Sequence, residues 1–396
     1  MVTDPLFDSA RQLLVWSAHV NSHAADSRQV EQLLGQGIDW KYLVPAAHVH
    51  GVMPLLWRNL ERVAPGVIPD WVRAQLGASY LHNARRNLFL TGELLRLLEL
   101  LDDAGISAIP FKGPALAASL YGDVALRQFC DLDLLVHPHA VADVRDLLLA
   151  HGFEPEYSLS GAQHDALLIS RNEMPFRNPD RGFFLEVQWQ ITPKFFSFPL
   201  EMKGLWDRLQ PVSLGGKTVR GLSPEDLLLI LCVHGAKHLW ERLSWIRDVA
   251  QLIGVHPDLA WDSVLERARS LGVERMLLLG LFLSKDLLGA RLPNTLVEQI
   301  QGDTAVHALA AQVMRRLFPA EDQEPGMLAT SWFHVRARER WQDKLRYCYG
   351  FAVTPNVWDL ALLHLPAILA PLHVVLRPFR LTSKYTRQLF SRSRSA

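Results

Sequence analysis

The chain has 396 residues, 49% of them apolar, and its 41 lysines and arginines balance 41 aspartates and glutamates. A chain of this length can bury a large core and commonly forms two or three domains. The zero net charge excludes a general electrostatic attraction to nucleic acid. Three widely spaced cysteines argue against a disulfide framework and a zinc site. Asp4 and Asp8 stand where a signal peptide would be basic, so we expect a cytoplasmic protein.

Residues 1–105 are predicted to form an N-terminal helical region. Apolar residues recur at helical spacing in Leu6–Ser22, in Trp40–Leu60 and most clearly in Trp71–Ala104. The histidines of this region are interpreted as structural, and the pair Arg85-Arg86 as a solvated helix face with contact to a phosphate as the alternative.

Residues 106–220 are predicted to form an α/β core. The apolar run Ala108–Phe111 predicts a buried strand, and Pro114–Tyr121 predicts a helix with proline in its first turn. Asp131 and Asp133 then lead into the apolar run Leu134-Leu135-Val136. Because side chains alternate along a strand, both carboxylates are expected on one face and the intervening leucine on the other.

Two carboxylates on one face of a strand raise each other's pKa unless a cation lies between them. Mg²⁺ suits such a pair, because it takes hard oxygen ligands and keeps positions open for phosphate oxygens. A metal held in this way can orient a triphosphate for in-line displacement. The D-x-D pattern is short and common, so two solvated acids at a strand end remain the alternative.

The remainder of the core is predicted to contain one helix and two hairpins. Pro138–His151 has the apolar spacing of an amphipathic helix, and a glycine follows it at the place of a C-cap. Asn172–Phe176 and Phe183–Ile191 flank a turn and predict a hairpin whose second strand carries Glu186. Gly215-Gly216 predicts the tight turn of a second hairpin. This order of elements predicts a mixed sheet covered by helices.

Residues 221–350 are predicted to form a C-terminal helical domain. Ser223 is a good N-cap, with proline at the first helical position after it. The segment Leu229–Ile253 is predicted to continue as one helix that carries His234 and His238 on one face. The histidine pair lacks the glutamate of the zincin motif, so zinc binding is the weaker interpretation beside a structural one.

The run FKG…LYGD…LR…CDLDLLV resembles the signature of a family of uncharacterised bacterial nucleotidyltransferases, which runs LKG, Y, R and D-[IL]-D-L-L-V. The resemblance implies the nucleotidyltransferase superfamily fold, which is α+β, with a small mixed-sheet core flanked by N-terminal and C-terminal helical regions. It also implies a third carboxylate on a later strand, for which Glu186 is the candidate. The family more often has Asp there and His two residues on, where this chain has Gln188. The matching signature residues are Lys112, Gly113, Tyr121, Arg127, Asp131 and Asp133.

The resemblance implies transfer of a nucleoside monophosphate from an NTP such as ATP, with Mg²⁺ or Mn²⁺, to an acceptor hydroxyl or phosphate. The acceptor stays open among small molecules, glycans, peptides and RNA. In this interpretation Asp131, Asp133 and Glu186 hold the metal and carry out catalysis. The implied nucleotide-binding residues are Lys112, Gly113, Arg127, Lys237, His238 and Arg242.

Several alternatives stay open beside this interpretation. Arg127 could brace the strand of Asp131 through a salt bridge instead of neutralising phosphate. Trp240 or Trp245 could stack on a base or could pack within a core helix. Because the third-strand motif departs from the family pattern, the protein could also be a catalytically degenerate module that binds a nucleotide or a partner.

Residues 351–396 are predicted to form an apolar and then basic tail. Leu360–Leu376 is apolar but holds two prolines, which places it at the lower limit for a membrane span. From Arg377 onward the tail is basic, and no acid follows Asp359. Peripheral contact with the inner face of an anionic membrane is one interpretation, and a helix packed on the helical domain is the other.

Overall fold

A computed structural model of the chain describes residues 5–19, 24–64, 66–157, 171–196, 198–318, 327–354 and 377. The predicted tail lies outside the described residues apart from 351–354 and Arg377. The described part is mainly helical with one mixed sheet, which confirms the predicted α+β class. Within this part, no helix is both long enough and apolar enough to cross a bilayer.

The N-terminal region is helical, as predicted. The segment Trp40–Leu60, which was expected to be helical, is divided into two helices at His50–Val52, where Gly51 has a φ of +71°. The last helix of the region has 34 residues and continues into the core. The helices are α1 Pro5–Ser17, α2 Ala24–Gly35, α3 Trp40–Val49, α4 Met53–Val63 and α5 Asp70–Asp103.

The core is a five-stranded mixed sheet in the order β1-β2-β5-β4-β3. Strand β2 lies antiparallel to β1 and parallel to β5, while β4 lies antiparallel to both β5 and β3. Leu132 and Leu134 point into the core beneath α7, so the predicted alternation along this strand is confirmed. The elements are β1 Ala108–Pro110, α6 Gly113–Tyr121, β2 Asp131–Val136, α7 Val141–Ala150, β3 Glu154–Pro155, β4 Glu173–Asn178 and β5 Phe183–Gln188.

The second predicted hairpin is present but stands apart from this sheet. Helix α8, Met202–Asp207, leads into β6, Gln210–Leu214, which pairs only with β7, Lys217–Gly221. Gly215 and Gly216 form the turn with φ values of +57° and +81°, as a two-residue turn with two left-handed positions requires.

The C-terminal helices follow Ser223, whose hydroxyl accepts a hydrogen bond from the amide of Asp226 at 3.2 Å and caps the first of them. These helices pack mainly on α12, whose apolar side chains are almost all buried. They are α9 Pro224–Lys237, α10 Leu243–Val255, α11 Trp261–Leu271, α12 Glu274–Leu288, α13 Asn294–Gly302, α14 Thr304–Leu317, α15 Met327–Arg336 and α16 Trp341–Val353.

The prediction of one continuous helix over Leu229–Ile253 was wrong. Helix α9 ends at Lys237, and the chain turns sharply through Leu239 and Trp240, whose φ values are +60° and +55°. The turn folds the indole of Trp240 back over Gly235, where a β-carbon would lie 2.5 Å from the ring. Burial of this large ring holds two residues in a left-handed conformation that neither favours alone.

Candidate functional site

Three carboxylates meet where β2 and β5 run side by side. Asp133 of β2 stands opposite Glu186 of β5 in the register, and Asp131 lies two positions earlier on the same face. Only 6% of Asp133 is exposed. Burial and the neighbouring Asp133 raise the pKa of Asp131. Burial, then Asp133 and Glu173, raise the pKa of Glu186 to about 7, so this site favours the protonated form of Glu186.

The junction of β1 and α6 lies directly against this cluster. The ammonium of Lys112 is 3.2 Å from the Oδ1 of Asp133. Burial would lower the pKa of Lys112, but Asp133, Glu186 and Asp131 outweigh it and leave that pKa raised. Gly113 has a φ of +53°, and a β-carbon there would lie 3.4 Å from the carbonyl oxygen of Asp131. The Lys-Gly pair thus places a cation and a bare stretch of backbone beside the acids.

The side-chain amide of Gln188 bridges the carboxylates of Asp133 on β2 and Glu186 on β5. Its Nε2 donates to the Oδ1 of Asp133 at 3.0 Å and to the Oε2 of Glu186 at 3.1 Å. The Oδ1 of Asp133 therefore accepts from both Lys112 and Gln188. As the side chains stand, the described residues contain no group of three His, Cys, Asp or Glu arranged to hold a metal ion.

The helical domain adds charge and rings to the same region. Lys237, at the end of α9, lies near Glu173 and Glu186, and burial lowers its pKa more than these acids raise it. Burial, then Lys237, lowers the pKa of His238 to about 3. Burial, then Lys112, lowers the pKa of His234 well below its usual value. The structure therefore brings Lys237 and His238 toward the cluster, and both imidazoles are uncharged at neutral pH.

His234, His238 and Trp245 form an aromatic cluster. The two imidazole centroids are 4.7 Å apart, and each lies 5.3 Å from the ring of Trp245. The exposed guanidinium of Arg242 lies 5.7 Å from the same indole. Trp240, by contrast, is fully buried in the core. Of the two tryptophans proposed to stack on a base, only Trp245 is positioned near the site.

Arg127 is held by a buried carboxylate of the helical domain. Its Nε and Nη2 donate to the carboxylate of Asp248 on α10 at 3.1 and 3.0 Å, and the hydroxyl of Tyr121 donates to the same group at 2.7 Å. Asp248 is 1% exposed. A salt bridge of Arg127 is what the bracing alternative predicts, and its partner is the buried carboxylate of Asp248.

Sequence reasoning missed the side chains that position the segment before β2. On α5, the amide of Asn83 donates to the carbonyl of Ala125 at 2.8 Å, and that of Asn87 donates to the carbonyl of Arg127 at 2.7 Å. Arg86 donates to the carbonyl of Cys130 at 2.9 Å. The spacing of three and four residues that places them on one helix face was the available indication.

The chain is thus an α+β protein whose mixed sheet presents acids on two parallel strands to a strand–helix junction bearing Lys-Gly. It belongs to a family of uncharacterised nucleotidyltransferases, whose family model matches residues 36–289. The matched range includes every residue predicted for the site, and the resemblance to this family is confirmed. No curated protein and no solved structure matches the chain.

Proposed function

We propose that the chain transfers a nucleoside monophosphate from an NTP to an acceptor hydroxyl or phosphate. Membership of the family gives the general kind of reaction. The observation that carries the proposal is the register of β2 and β5, which pairs Asp133 with Glu186 and puts Asp131 on the same face. In the reaction, the acceptor oxygen forms a bond to the α-phosphorus, the bond to the β-phosphate oxygen breaks, and pyrophosphate leaves.

The acids of the cluster suit a hard divalent cation, Mg²⁺ or Mn²⁺. All three candidate donors, Asp131, Asp133 and Glu186, are carboxylates, and burial, followed by the neighbouring carboxylates, raises the pKa of Asp131 and of Glu186. When bound, such an ion would neutralise phosphate charge. The Oδ1 of Asp133 accepts from Lys112, so an ion held by Asp133 would compete with this ammonium for that oxygen.

The protein's own groups divide the remaining work. We assign Gly113 to the approach of phosphate oxygens to the backbone at the start of α6, and Lys112 to the positive charge there. Where it does not ligate the ion, Glu186, whose pKa is raised to about 7 by burial and then by Asp133, is suited to accept the proton of an acceptor hydroxyl. We assign Asp133, whose carboxylate already lies against the ammonium of Lys112, to orientation and not to proton transfer.

The helical domain supplies the other side of the proposed nucleotide site. Lys237 directs a second ammonium toward the acids, and His238 offers a neutral imidazole for hydrogen bonding. Arg242 is exposed beside Trp245, so it can meet a phosphate while the indole meets a base. Arg127 is placed differently, since its charge is already paired with Asp248, and it reaches phosphate only by sharing that contact.

Labelled nucleotides test the proposal directly. Each NTP is supplied with label on the α- or the γ-phosphate, together with Mg²⁺ and a cell extract as the source of acceptor. We expect transfer of the α label, its loss in Asp133→Asn, and its retention in Asp146→Asn, which removes an exposed carboxylate from α7. Transfer of the γ label alone would indicate a kinase-like reaction and refute the proposal.

The contacts of Gln188 favour a second candidate function. Because a neutral amide and Lys112 already satisfy Asp133, the cluster can be stable without a metal, as a degenerate site that binds a nucleotide or a partner would be. Tight nucleotide binding in calorimetry, unaffected by Mg²⁺ and without transfer of either label, would support this candidate over the first.

A further inference from the structure

The last described helix, α16, presents an apolar stripe to the outside of the molecule. Trp341, Leu345 and Tyr349 are 68%, 59% and 71% exposed. They stand four residues apart, so they form one continuous line along the helix. Helix α16 contributes no residue to the carboxylate cluster, so what this stripe binds is independent of the proposed reaction.

We propose that this stripe of α16 docks on the surface of an anionic lipid bilayer. The opposite face of the helix is already used, because Tyr347 packs against Phe196 and His334 in the core. Asp343, the only acid in the helix, is buried on that inner face. The outward face of α16 therefore carries aromatic and aliphatic side chains and no acidic residue of this helix.

Two cations border the stripe. At 100° per residue, Lys344 falls on one side of the line and Arg346 on the other. Arg346 contacts Asp343 at 3.2 Å, yet its side chain remains 66% exposed. Long basic side chains beside an apolar stripe can lay their stems on it and reach anionic headgroups, while tryptophan and tyrosine favour the membrane interface.

The chain beyond α16 favours a bilayer over a protein partner. Residues 355–376 include the apolar run Leu360–Leu376, and from Arg377 onward the chain is basic, with no acid after Asp359. The Nε of Arg377 donates to the carbonyl of Phe351 at 3.0 Å, so the chain is back at the last turn of α16 after that run. Arg377, which follows the apolar run in the sequence, is thus held at the helix that carries the stripe, and the sequence after it is basic.

Vesicle sedimentation of the full chain tests the proposal. The stripe variant combines Trp341→Ser, Leu345→Gln and Tyr349→Ser, all at exposed positions. The matched control makes comparable apolar-to-polar changes on α5 at similarly exposed positions, namely Trp71→Ser, Leu81→Gln and Leu88→Gln. We expect binding to phosphatidylglycerol-containing vesicles, little binding to pure phosphatidylcholine, and a partition coefficient about tenfold or more lower in the stripe variant only.

A fluorescent probe on Cys348, which is exposed beside the stripe, tests whether something other than a bilayer covers the stripe. An environment-sensitive maleimide is attached in a Cys130→Ser background, and its emission should shift to the blue only when anionic vesicles are added. Emission that is already blue-shifted without lipid would mean that the chain itself or a second copy covers the stripe. That result, or unchanged sedimentation of the stripe variant, would overturn the proposal.

Discussion

Replacement of Asp248 by asparagine should destabilise the fold strongly. Asp248 is almost completely buried and accepts three hydrogen bonds within 3.1 Å from Arg127 as well as one from Tyr121. An asparagine has the same shape but no charge, so the guanidinium of Arg127 would stay buried without a counter-charge. Breaking a buried pair in this way costs about 3–5 kcal/mol. Because Arg127 is 11% exposed and keeps some access to water, we expect the lower end of that range.

The assay is equilibrium unfolding in urea, followed by tryptophan fluorescence and by far-ultraviolet circular dichroism. A single free energy of unfolding is meaningful only where the two transitions coincide. The double variant Arg127→Leu with Asp248→Leu should lose much less than the sum of the single losses, since no buried charge remains unpaired. The exposed Asp146→Asn serves as the control and should change stability by less than about 0.5 kcal/mol. A loss below about 1 kcal/mol in Asp248→Asn would refute the reasoning.

Three further outcomes follow from the site and its surroundings. The folded protein holds the proton of Glu186, with a pKa of about 7, more tightly than the unfolded chain, whose value is 4.5, so stability should fall as pH rises between these values. In urea unfolding without metal, Glu186→Gln should therefore be more stable than the wild type above pH 7 by about 1–3 kcal/mol, and Mg²⁺ should reduce this difference. An equal dependence of the unfolding free energy on pH in the two proteins would contradict this. Gly113→Ala and Gly122→Ala each place a side chain on a left-handed residue, which costs about 1–2 kcal/mol. Only Gly113 lies beside the acids, so calorimetry should show weaker nucleotide binding in Gly113→Ala and unchanged binding in Gly122→Ala. Gly235→Ala should lower stability by about 1–3 kcal/mol, because the added methyl group meets the buried indole of Trp240. Gly92→Ala, which adds a methyl group in open space on a helix, should raise stability by about 0.4–1 kcal/mol. Similar melting temperatures for the two variants would contradict this.

The sheet and its acids could be predicted from the sequence because their determinants are local. Period-two alternation fixed the face of Asp131 and Asp133, and turn residues located the hairpin that carries Glu186. The sequence also showed Gln188 at the position where the family more often has His, although it could not show the hydrogen bond that Gln188 makes. The family signature then linked these pieces to one kind of reaction.

The corner between α9 and α10 could not be predicted in the same way. Residues 238–242 contain no proline or glycine, and the turn depends on the fit of Trp240 against Gly235 and, far along the chain, Gly280. The pairing of Arg127 with Asp248 spans 121 residues, and many acids in the sequence could have served as the partner. Contacts of this kind are fixed by tertiary packing, which overrides local preference.

Helix α5 spans both the N-terminal helices and the sheet that carries the acids. At about 1.5 Å per residue its 34 residues extend for about 50 Å. Its first half, with Val72 and Leu76, is embedded among the N-terminal helices, while its second half, from Leu90 onward, packs against the sheet. Asn87 lies near the middle and holds the backbone that enters β2. The helix therefore connects the N-terminal helices to the entry of β2, and we expect a substitution that shifts its first half to displace Asp131 without touching the site.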